Sequence, residues 1–241
     1  MTRPVLLNNI DHRDLRVRTE RTPELGDAVM SAITFPAEFR SVQAHYPIVF
    51  QKTADGTGFQ PLALFGFEAG ENLFLSATGW DAAYLPMAIE REPFLIGRSV
   101  HEGRESLMLH VDMDSPRLVD GAAGESLFRT HGGSSDYLER ITSLLRTLND
   151  GIGATPAFVE TLLQLKLLES FVFDVELDDG STHRLAGFYT IDEERLAALD
   201  GATLERLSRD GHLMPIHMQI ASLSQLRALV ERRNRRNRRA G

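Results

Sequence analysis

The 241-residue chain is 42% hydrophobic and 25% charged, the balance of a protein that buries a core rather than of a disordered one. It contains no cysteine, which excludes disulfides, thiolate nucleophiles and cysteine-held zinc or iron–sulfur clusters. The formal charge of −8 is uneven: residues 231–241 hold six arginines and one glutamate, a net +5, leaving −13 on the rest, so the acidic body should repel duplex nucleic acid and any such contact falls to the basic end.

Residues 1–10 carry Arg3, Asn8 and Asn9 with no apolar run of signal-peptide length. No stretch approaches the roughly 20 apolar residues that cross a bilayer. A cytoplasmic location is therefore expected. Leu15 and Val17 alternate with Arg16 and Arg18, a short strand signal that stays open. Thr34 and Pro36 suit the cap and first turn of a short helix that stops before Pro47. Residues 46–51 and 59–67 read as a hairpin about a Gly/Thr-rich turn, extended by 72–76 toward a meander. Pro86 opens a short helix to about Glu92, and an extended run from Pro93 leads to a strand over 106–113.

The second half is helical. Ser134, Ser135 and Asp136 cap a helix with Leu138, Ile141, Leu144, Leu145 and Leu148 on one face, which Asn149-Asp150-Gly151 should end. Thr155-Pro156 open a second, carrying Phe158, Leu162, Leu163 and Leu165. The Asp178-Asp179-Gly180-Ser181 turn joins strands over 170–177 and 182–191. Short helices are predicted over 192–199 and 203–209, the latter stopped by Gly211. A last helix follows Ser222 or Ser224 and frays in the arginine tract. The predicted fold is α+β, an antiparallel-rich sheet with helices packed mainly from the C-terminal half. It forms a single domain over 1–230, with a basic, disordered tail over 231–241.

A series of short motifs runs in order along the chain: Glu38-Phe39, His45 to Phe50, Leu64-Phe65-Gly66-Phe67, Trp80-Asp81, Tyr84-Leu85-Pro86, Arg91 with Pro93-Phe94, and Gly124 to Phe128. Leu185 to Tyr189, Ile191 to Glu194 and Ile220 to Leu223 continue it. Together they resemble the SapC family from about Leu7 to Leu229. The family takes its name from a gene associated with surface-layer proteins, so the resemblance implies an accessory or binding protein linked to surface-layer or envelope processes. It brings no catalytic residue set.

Three constellations carry chemical potential. Glu38, Tyr46, Trp80, Tyr84 and Arg91 could line a polar pocket for a protein or small-molecule partner, or form a structural network. His110 and Asp112, two apart on a strand, share a face. With a distal histidine such as His217, or His131, His183 or His212, they would make the facial triad of a non-haem Fe(II) oxygenase, with Arg91 or Arg98 pairing a carboxylate substrate. That pattern is short and the helical half does not read as a jelly roll, so no cofactor is expected and the oxygenase is the alternative. Arg232, Arg233, Arg235 and Arg236 could meet phosphates or an anionic surface, but lack interleaved aromatics for base stacking. No G-x-S-x-G elbow or phosphate-binding loop is present.

Overall fold

The computed structural model describes residues 2–101, 104–119, 121 and 123–240, with the backbone alone for 98–101, 104–106 and 240. The fold is α+β, as expected. Where a single domain was predicted, the chain divides into two compact units: Met1–Asp27 with Met87–Asp150, and Ala28–Pro86 with Gly151–Gly241. No Gly/Ser/Pro-rich linker announces the division, because its last crossing lies inside one continuous helix, Asp136–Gln164. This helix replaces the two that were predicted. The expected stop at Asn149-Asp150-Gly151 is overridden by packing: a Cβ on Gly151 would collide with the Phe35 ring. Farther along, Thr155 donates its hydroxyl to the Gly151 carbonyl at 2.8 Å, one residue before Pro156.

The first unit has two small antiparallel sheets. One orders Pro4–Leu6, Arg104–Asp112 and Phe94–His101; the other places Arg16–Val17 between Leu118–Val119 and Glu125–Ser126. The Leu15/Val17 alternation is thus a real, two-residue strand, and Val17 is fully buried. Arg117 and Arg21 converge on buried Asp27. Arg117 Nη2 donates to both carboxylate oxygens at 2.6 Å and Arg21 Nη1 to one at 3.3 Å. Both guanidinium groups also donate to backbone carbonyls, of Arg18, Glu20 and Ile89 among others, the condition under which buried charge is tolerated. Burial first, then the neighbouring Arg117, lowers the Arg21 pKa.

The second unit is built on a five-stranded antiparallel sheet in the order Leu168–Glu176, Thr182–Ile191, Ile48–Lys52, Phe59–Leu64, Ser31–Ile33. Both predicted hairpins form. The long one is irregular where Ala186 and Gly187 stand opposite Val172 alone, and Gly187 takes φ +84°, a glycine-type bulge. Helix Leu213–Ser222, which the sequence reading did not anticipate, packs on this sheet through polar side chains. Gln219 donates to the Ile48 carbonyl at 2.7 Å and accepts from the Ile191 amide at 3.3 Å, while Ser222 accepts from the Ile48 amide at 2.9 Å. Phe39 and Phe50 close the core against Phe158, the former edge-on at 6.2 Å.

Candidate functional site

Four of the five residues proposed as a pocket assemble in the second unit. Thr34 was read as a helix cap. It instead donates its hydroxyl to Glu38 Oε2 at 2.7 Å, and Tyr84 donates to Glu38 Oε1 at 2.9 Å. Trp80 Nε1 donates to the Tyr46 hydroxyl at 2.7 Å, and that hydroxyl donates in turn to the Tyr84 carbonyl. Phe65, Phe74 and Trp80 ring Tyr46 edge-on. Burial pushes the Tyr46 hydroxyl above the usual phenol range, so it stays neutral and acts as a two-way hydrogen-bond bridge. Glu38 is 2% exposed and Tyr46 not at all. These groups fix the chain between the strand Ser31–Ile33 and the ribbon that ends at Trp80. Arg91 belongs to the first unit, where it donates to the Phe94 carbonyl at 2.8 Å and pairs with Glu92 at 3.0 Å.

The arginine tract is a helix, not a tail: Gln225–Ala240 continues through it. Arg232 pairs with Asp81 at 2.6 Å and lies 4.2 Å over the Phe74 ring; Arg233 pairs with Glu71; Arg236 donates to the Asn72 carbonyl at 3.4 Å. Asn234 exchanges two 3.0 Å hydrogen bonds with Asp178, Asn237 donates to Asp179 at 2.7 Å and Arg238 pairs with Asp178 at 2.6 Å. Arg235 is exposed. The helix is a clamp across the acidic turns of its own unit, for which charge complementarity is the reason.

His110 and Asp112 lie on the strand Arg104–Asp112 of the first unit. His110 Nδ1 sits 3.1 Å from the Met108 carbonyl, and its ring covers Gly97 so closely that a Cβ there would collide with it. Asp112 accepts from the amides of Arg3 at 2.8 Å and Asp114 at 3.1 Å. His217 falls in the second unit, and His183 pairs with Glu68 at 2.8 Å. Among the described residues no three His, Cys, Asp or Glu side chains gather as a metal-ligating group. Arg98 lies outside the residues whose side chains are described.

Two open features with apolar walls lie elsewhere in the second unit. A groove of about 510 Å³ runs between the hairpin Ile48–Lys52/Phe59–Leu64 and the second half of the long helix. Pro61, Ile152, Val159 and Leu163 give it apolar walls, Thr34 contributes from the network above, and Asp55 and Glu160 stand among its lining. Ile152 and Leu163 are 38% and 43% exposed. Hydrogen bonds from Thr53 and Thr57 hold the Asp55 pKa down to about 2, so its charge is permanent. Sequence reading missed this groove because its walls are about 100 residues apart. The one local signal was Leu163 beside Leu162, an apolar pair too wide for one buried helix face.

These features define an α+β protein whose central polar groups bind one another and whose apolar hollows stand open. The SapC family model matches residues 7–229, and the chain belongs to the SapC family. Comparison with curated proteins and with solved structures gives no match. Among the described residues no helix is long and apolar enough to cross a membrane.

Proposed function

We propose that this SapC-family chain is a cytoplasmic accessory protein in surface-layer or envelope processes, and that it works by holding a basic, apolar segment of a partner protein in the groove along the long helix. The family name alone suggests the surface-layer setting. The observation that carries the binding role is the pairing of apolar walls, exposed at Ile152 and Leu163, with two carboxylates, Asp55 and Glu160, and with no cationic side chain among the described lining residues. Apolar walls supply affinity, and the carboxylates select a cationic partner. The Thr34–Glu38–Tyr84 chain supports the site from behind by fixing Thr34.

The test is fluorescence anisotropy with two labelled extended peptides, one alternating leucine with lysine and the other leucine with glutamate. The lysine peptide is expected to bind, more weakly to Glu160→Lys and to Leu163→Asp, both at exposed positions that should leave folding intact. Equal binding of the two peptides, or equal binding of the lysine peptide by the native chain and both variants, would sink the proposal.

A further inference from the structure

A second hollow of about 600 Å³ opens in the same unit, where the short helix Phe39–Val42 faces the helix Leu213–Ser222. Its walls are Pro36 and Ala37 on one side and Leu213, Met214 and Met218 on the other. Met214 keeps 54% of its surface exposed, and unbranched thioethers adapt to the shape of an apolar guest. The charge of this lining is opposite to that of the groove. It contains the Arg40 guanidinium and the His217 imidazole and no carboxylate.

Arg40 is the informative residue. Among the described residues its Nη2 donates to the Met214 sulfur at 2.9 Å. A thioether is a weak acceptor, whereas a guanidinium presents five donors in a fork shaped for a carboxylate. The elements hold Arg40 at the mouth of an apolar hollow, and among the described residues no carboxylate pairs with it. A cation beside apolar walls calls for a guest with an anionic head and an aliphatic body, and the volume lies within the range of small-ligand pockets. We infer that this hollow is a binding site for a small aliphatic carboxylate, its head on Arg40 with His217 nearby and its chain along Leu213, Met214 and Met218. The site stands apart from the peptide groove: different walls, opposite charge and a different class of ligand.

Isothermal titration calorimetry of the full chain with octanoate, octan-1-ol and acetate tests this. Octanoate is expected to bind saturably, octan-1-ol more weakly and acetate not at all. Arg40→Gln, at an exposed position, should weaken octanoate by about tenfold or more, the size of a charge-assisted hydrogen bond lost, while leaving octan-1-ol unchanged. Met218→Glu should weaken both, and the groove variant Glu160→Lys neither. No saturable octanoate binding, equal affinity in the native chain and Arg40→Gln, or equal affinity for octanoate and octan-1-ol would each overturn the assignment.

Discussion

Tyr46 decides how the central network is understood. Its hydroxyl accepts from Trp80 Nε1 and donates to the Tyr84 carbonyl, and burial keeps it protonated. A phenol with both roles occupied and a raised pKa is a poor acid or base. Tyr46→Phe leaves an indole N–H and a carbonyl without their partner and should cost about 1–3 kcal/mol, measured by urea unfolding, while the lysine peptide still binds the folded variant. Loss of binding at unchanged stability would instead make Tyr46 a contact residue. The sequence put Glu38, Tyr46, Trp80, Tyr84 and Arg91 in one set, and the structure brings the first four together while Arg91 belongs to the first unit. That they could form a structural network was open to the sequence reading; which group donates to which was not, since hydrogen-bond direction depends on loops that meet only in the fold. For His110 and Asp112, strand period alone gave a shared face, but a third ligand needs tertiary information that period does not contain.

At the scale of elements, local stop and disorder signals lost to packing twice. Asn149-Asp150-Gly151 reads as a helix end, yet the helix passes through it because Gly151 provides the space that Phe35 fills. Gly151→Ala sets a gain in helix propensity of about 1 kcal/mol against overpacking of typically 1–3 kcal/mol. The expected result is a net loss of stability, which Phe35→Leu in the same chain should relieve. The arginine tract likewise reads as a solvated tail, because the acids that order it, Glu71, Asp81, Asp178 and Asp179, lie 56 to 162 residues away. Truncation after Val230 should lower Tm and reduce its dependence on salt, since several of the lost contacts are partly screened ion pairs. An unchanged Tm would mean the helix contributes nothing to the fold.

At the scale of the molecule, the α+β class and antiparallel hairpins were legible because period-two runs and Asp-Gly turns are local signals. The division into two units was not, because the chain leaves the first unit at Asp27, returns at Met87 and leaves again within a helix. Both hollows lie in the second unit and flank one stretch: Ile33 and Thr34 line the acidic groove, and Pro36, Ala37 and Arg40 line the basic hollow. The network on Glu38 sits between them. Family-like residues at 38, 46, 80 and 84 therefore bear on both hollows only indirectly, by holding that stretch in place.

Amide hydrogen exchange of the full chain with and without the leucine–lysine peptide tests the groove most directly. New protection is expected over residues 53–61 and 152–163, and its loss in Glu160→Lys. Protection confined to 36–40 and 208–218, or none at saturating peptide, would contradict a partner-binding role for the long helix.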